Sequence, residues 1–196
     1  MNSEQVGAAH DQEHGLSRRD FLKVGAGFSV ALACASALGT LSGCGEAAKS
    51  PAKTFGFLQE GDLALFRALA PAVVLDLTQM DASARSARLD DVLHKLDATC
   101  GALGLHSRQE LRKLLDLLAI APLRYLLAGV GAWNEASVQT LQDFLARWRD
   151  SRFATLNAGG NVLVKLISTS YFVLPATWPT SGYPGPLAHF YKAVNS

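Results

Sequence analysis

The chain has little with which to do chemistry. Its 196 residues contain three cysteines, Cys34, Cys44 and Cys100, too few for a disulfide framework. Neither sign of charge dominates. Eighteen Lys and Arg face seventeen Asp and Glu, which excludes a strongly basic nucleic-acid binder. Charged residues are only 18% of the chain while hydrophobic ones are 49%, so disorder throughout is excluded too. No G-x-G-x-x-G, P-loop, C-x-x-C-H or G-x-S-x-G occurs. In the body that follows residue 54, His94, His106 and His189 form no H-x-x-x-H pair. These absences in the body predict no catalytic residue, no metal site and no cofactor site. There is no internal repeat and no sign of a second domain.

The most informative segment lies near the N-terminus. Residues 1–16 are polar and mixed in charge, followed by Ser17-Arg18-Arg19-Asp20-Phe21-Leu22-Lys23. From Val24 to Gly43 no residue is charged, and the run is rich in Gly, Ala and Ser. A polar n-region, a basic pair and a weakly apolar core are the order of an export leader. The S-R-R-x-F-L-K pattern resembles a twin-arginine (Tat) signal, read on Arg18, Arg19, Phe21 and Leu22. Leu41-Ser42-Gly43-Cys44 resembles a bacterial lipobox. There, small residues let the chain enter the peptidase, and the Cys44 thiol accepts diacylglycerol. Gly45 in place of an Asp leans toward release to the outer membrane. Two alternatives stay open: a cleaved leader without lipid, and a retained transmembrane anchor. An uncharged run of 20 residues is close to the ~20 that span a bilayer, although Gly25, Gly27, Gly39 and Gly43 weaken it. The expected division is a leader over 1–43, a flexible tether over 44–54 and a helical body over 55–196. Tat carries proteins already folded. A chain uses it because it binds a cofactor, folds fast, or escorts a folded partner.

Once Cys34 leaves with the leader and Cys44 is lipidated, Cys100 is the remaining thiol. It falls on an apolar helical face, which predicts a buried, inert side chain.

The body reads as helices, giving an all-α bundle of about six. Leu63, Phe66, Leu69, Ala70, Val73, Val74 and Leu77 recur at three and four residues and predict a helix over 60–78, kinked or split at Pro71. Leu89, Val92, Leu93, Leu96 and Cys100 predict a second over 83–100. Asp90, Asp91 and Asp97 are expected as surface charges there, with His94 at the surface or boundary. Ser107 and Glu110 have capping-box spacing, placing a third helix through Leu111, Leu114, Leu115 and Leu118. The apolar run from Leu123 to Val130 suggests a buried central helix. Asn134 is the expected N-cap of a helix over 135–150, with Val138, Leu141, Phe144, Leu145 and Trp148 inward. Arg147, Arg149 and Arg152 near its end complement the helix dipole; an anionic-lipid or partner patch is the alternative. Residues 161–174 carry β-branched side chains, but Leu163, Leu166, Ile167 and Ser170 share a helical face, so helix is expected. Gly159-Gly160 read as a loop before it.

The C-terminal stretch from Pro175 to Leu187 carries four of the seven prolines, which argues against a helix or an interior strand. It displays Trp178 and Tyr183. Either it packs those rings on its own helices, or it offers them, pre-ordered, to a partner.

Taken together, the Tat-type leader, the small helical body and the motif Trp178-x-x-x-Gly182-Tyr183-Pro184-Gly185-Pro186 resemble the small subunits of membrane-bound flavin dehydrogenases. The chain is similar to gluconate 2-dehydrogenase subunit 3 and to fructose and sorbitol dehydrogenase small subunits. The segment from Phe57 to Pro71 resembles that group's first helix. The resemblance implies a non-catalytic subunit. Its partner would be an FAD-dependent large subunit of the glucose–methanol–choline (GMC) type, which lacks a leader and crosses through the Tat translocase with this chain. A cytochrome c subunit is a further partner the resemblance admits. FAD would belong to the partner and none to this chain. The implied location is the periplasm, held to the membrane by a lipid anchor, with Trp178, Gly182, Tyr183, Pro184, Gly185 and Pro186 as partner contacts. The competing expectation is a stand-alone exported lipoprotein that binds a small apolar ligand between helices, supported by the very apolar segment from Ile120 to Val130.

Overall fold

The computed structural model describes residues 50–185. The positions expected to form an export signal, Arg18, Arg19, Phe21 and Leu22, the expected lipidation position Cys44, and Pro186 of the C-terminal motif lie outside the described residues. Within them the chain is all-helical, as expected, with six helices of eight residues or more. These are α1 (Glu60–Val73), α3 (Ala82–Gly101), α4 (Leu105–Ala119), α5 (Ala121–Ala128), α6 (Val138–Arg149) and α7 (Ala154–Phe172). Two single turns, α2 (Asp76–Gln79) and α8 (Trp178–Ser181), complete the set.

The apolar stripes assemble one core. α7 lies along α6 and α3, and α1 crosses α6. Leu63, Phe66, Leu69 and Ala70 of α1 are buried, as are Leu89, Val92, Leu93, Leu96 and Cys100 of α3. Leu111, Leu114, Leu115 and Leu118 of α4 join them, with Leu141, Phe144, Leu145 and Trp148 of α6. Every one was marked by its spacing alone. The 60–78 helix is split: α1 ends at Val73, Val74 is extended, and the Val74 amide donates to the Ala70 carbonyl at 2.8 Å. Pro71 in the last turn cannot donate to the ladder, which weakens the helix where it stops.

Polar clasps tie the N-terminal edge down. Asp97 accepts the amides of Gly56, Phe57 and Leu58, each at 2.9 Å. It is therefore a clasp across some forty residues of sequence, not the plain surface charge its helical position suggests. Asp62, buried in α1, accepts the Gln59 amide at 2.8 Å. It also takes a two-pronged bond from Arg112 at 2.6 and 2.8 Å. Burial by itself would lower the Arg112 pKa, but the hydrogen bonds and charge of Asp62, joined by those of Asp116, outweigh it and raise the value. Ordered packing reaches back to Ala52, which is buried and donates to the Leu58 carbonyl at 2.7 Å.

Four local expectations are corrected. Ser107 does not cap α4: Gly104 is the N-cap and Ser107 lies inside the helix. Glu110 is buried and bonded through Oε1 to Lys113 at 2.7 Å, so its carboxylate is turned along the helix rather than back to an N-cap. Asn134 does not cap α6. Residues Trp133–Glu135 form a 3-10 turn that buries Trp133, and the Ser137 hydroxyl takes the Thr140 amide at 3.1 Å instead. Gly159 and Gly160 are not a loop, because α7 starts at Ala154 and runs through them. The helix accepts them because Trp148 occupies the space a side chain would need. A Cβ at either glycine would sit 3.0 Å from a Trp148 atom.

The fourth correction concerns α5. It is not a buried central helix: only Ala128 of its eight residues is buried, and Tyr125 and Leu126 are 69% and 78% exposed. Eight residues make little more than two turns, and contact with α4 along one face leaves the other apolar face outward.

Candidate partner interface

The C-terminal motif is built as a compact turn. Pro175 opens a 3-10 turn, Pro175–Thr177, and Pro179 lies in the first turn of α8. Two short helical turns thus form where the proline content argues against helix. They form because each proline occupies a helix-opening position, where its missing N–H costs nothing. Thr177 is buried, and its hydroxyl lies 2.8 Å from the Leu174 carbonyl and 3.1 Å from that of Tyr171. That anchors the turn to the end of α7.

Trp178 is the centre of the turn. Its indole N–H donates to the Phe172 carbonyl at 3.2 Å. The Tyr183 ring meets it edge-on, centroids 5.3 Å apart at 81°, and the Tyr183 amide donates to the Trp178 carbonyl at 3.1 Å. Gly182 and Gly185 supply the left-handed backbone, at φ 69° and 87°, that folds the chain over the indole. A Cβ at Gly185 would come 2.9 Å from Trp178 Cζ3. The structure therefore brings Trp178, Gly182, Tyr183 and Gly185 together, with Pro184 exposed between them.

The two sequence alternatives divide between two rings. Trp178 is half-buried and spent on the turn, whereas Tyr183 stays 49% exposed. Phe172 and Val173 at the end of α7 are also exposed. Behind them Tyr171 is buried, its hydroxyl 3.4 Å from Asp76 Oδ2. Burial first, then the Asp76 carboxylate, raises the Tyr171 phenol above its ordinary pKa. The arrangement offers a compact aromatic surface at the end of α7.

The other positions of interest have structural partners. His94 is exposed and stacks on Phe55, centroids 4.7 Å apart at 5°. Asp90 pairs with Arg67 at 2.6 Å on the surface. Cys100 is buried, as its face predicts, and burial ahead of the Asp97 and Asp62 charges pushes its thiol up to about 12. Arg147 does not end on its own helix; it donates to the Ala128 carbonyl of α5 at 2.8 Å. Arg149 donates to Asn161 at 3.2 Å. A cleft of about 230 Å³ lies between Ser50–Lys53, the start of α1 and Ala119. Among the described residues no group of three or more His, Cys, Asp or Glu is placed to hold a metal ion. Among them, too, no helix is long and apolar enough to cross a membrane.

Sequence reasoning missed Asp97, Asp62 and Arg112, whose partners lie 39 to 50 residues away. Only the Gln59–Asp62 spacing at the start of α1 carried a local signal.

No protein-family model matches this chain, and neither a curated protein nor a solved structure does.

Proposed function

We propose that this chain is the non-catalytic small subunit of a periplasmic, FAD-dependent dehydrogenase of the GMC type. It binds the folded flavoprotein in the cytoplasm and escorts it through the Tat translocase. Lipid on Cys44 then helps hold the complex at the membrane. The observation that carries this reading is the C-terminal turn. Trp178 is locked by its own glycine contact, and Tyr183 is left half-exposed on a pre-ordered backbone. A pre-ordered aromatic surface binds with little ordering cost. The S-R-R-x-F-L-K leader is the second support, because a chain without a cofactor motif has reason to use a folded-protein route when it carries a folded partner.

The test is export of the partner. With R18K and R19K together, both this chain and a leaderless flavoprotein should remain in the cytoplasm, with dehydrogenase activity lost from the periplasmic fraction. Normal export of the flavoprotein in that double variant would overturn the proposal.

A further inference from the structure

Trp148 gathers one end of the bundle. Its indole N–H donates to the Leu127 carbonyl of α5 at 3.0 Å, and its ring lies on Gly159 of α7. The C-terminal end of α5, the end of α6 and the glycine pair of α7 are thereby brought together, with Arg147 donating to the Ala128 carbonyl at 2.8 Å. Three large apolar side chains are exposed on α5 and on the α6–α7 turn that follows Trp148: Tyr125, Leu126 and Phe153. Arg147, Arg149 and Arg152 are exposed on the same segments, with Arg152 over the Phe153 ring at 5.3 Å. Residues 121–128 and 147–153 contain one carboxylate, Asp150. Elsewhere in the described chain, acidic residues slightly outnumber basic ones.

We infer that this end is a membrane-contact surface which seats the body on an anionic phospholipid bilayer. Apolar tips ringed by arginines suit the headgroup boundary, where the tips enter the acyl edge and the guanidinium groups stay at the phosphates. The charge is complementary to anionic lipid and repelled by a second copy of itself. The path of the chain agrees. Ser50 lines the same cleft as Ala119, two residues before α5 begins. From Cys44 to Ser50 the chain reaches at most about 21 Å, so a lipid at Cys44 would keep α5 close to the bilayer. That reach depends on the anchoring proposed above; the charge pattern does not.

The test uses the full chain with C34S and C44S, so that no lipid is attached, and L126C carrying an environment-sensitive nitrobenzoxadiazole. A98C, at an exposed position of α3, carries the same dye as control. Vesicles are phosphatidylcholine alone or mixed with phosphatidylglycerol. The expected result is a blue shift at position 126 with the anionic vesicles, little with neutral ones and none at position 98. R149Q and R152Q should each weaken the partitioning about fivefold. Vesicle binding that leaves position 126 unshifted, or shifts both positions alike, overturns the inference. A shift that grows with protein concentration without vesicles also overturns it, in favour of self-association. Separately, an unmodified Cys44 in the native chain would overturn the anchoring proposal while leaving the dye result to decide this one.

Discussion

Two tryptophans of this protein sit against glycines, and the two contacts serve opposite ends. Trp148 lies on Gly159 and Gly160, where a Cβ would come within 3.0 Å of it. It is 2% exposed and meets Phe144 edge-on, centroids 4.9 Å apart. Trp178 lies under Gly185, where a Cβ would come within 2.9 Å. It is half-buried, and its neighbour Tyr183 faces outward. The first contact joins three helices and belongs to the core. The second fixes a short turn that hangs on α7 through Thr177 and one indole hydrogen bond. A glycine beside an indole thus marks close packing without saying whether the packing serves stability or display.

Variants at the two contacts should separate those roles. The largest effect is expected for W148A, which opens a cavity at a three-helix junction and should cost about 3–5 kcal/mol of stability, read by denaturant unfolding. G160A comes next. A helical Gly→Ala change normally gains about 1 kcal/mol, but here the added Cβ meets the Arg149 backbone nitrogen at 3.2 Å, and that atom cannot swing away. A net loss of about 1–2 kcal/mol is therefore expected. At the other contact, W178A should cost only about 1 kcal/mol, yet weaken binding to the proposed flavoprotein at least about tenfold. Its melting temperature and its affinity should move by unequal amounts. If W178A unfolds the body as W148A does, the distinction fails.

Cys100 reports on both contacts. Its thiol is buried and held protonated, so alkylation in the native state should await global opening. W148A should hasten labelling and W178A should leave it unchanged. The pH dependence has a definite sign. The folded thiol stays neutral up to about 12, while the unfolded one ionises near 9.0. The unfolded state then binds fewer protons, so stability declines as pH rises from about 9 toward 12. The smallest effect is expected for S170A. The Ser170 hydroxyl is buried without a hydrogen-bond partner, so its removal should change stability by less than about 1 kcal/mol, toward gain rather than loss.

Much of the fold was legible in the sequence where the signal was periodic. The stripes of α3 and α4 marked buried residues correctly because a 3.6-residue repeat names its own inner face. α5 was misjudged for the converse reason. An almost wholly apolar run of eight residues has no polar face to say which side is out. Gly159-Gly160 read as punctuation, since glycine signals a break locally; the indole that fills the gap comes from α6. Asn134 has the right residue type for an N-cap, but burial of Trp133 claimed its segment first. The C-terminal segment was legible as a turn that groups aromatic rings, because glycine and proline fix backbone locally, but its two short helical turns were not. What could not be read was which ring it would keep and which it would show. The clasps of Asp97 and of Asp62 with Arg112 were invisible for want of any local pattern.

The most direct test of the central claim is to purify the tagged chain from native membranes and record its absorption spectrum and the masses of what accompanies it. The account predicts a yellow complex with a near-stoichiometric GMC-type flavoprotein, lost when W178A and Y183A are combined in a chain that still folds. A colourless chain that purifies alone, or one that oxidises substrate with no partner present, would contradict it.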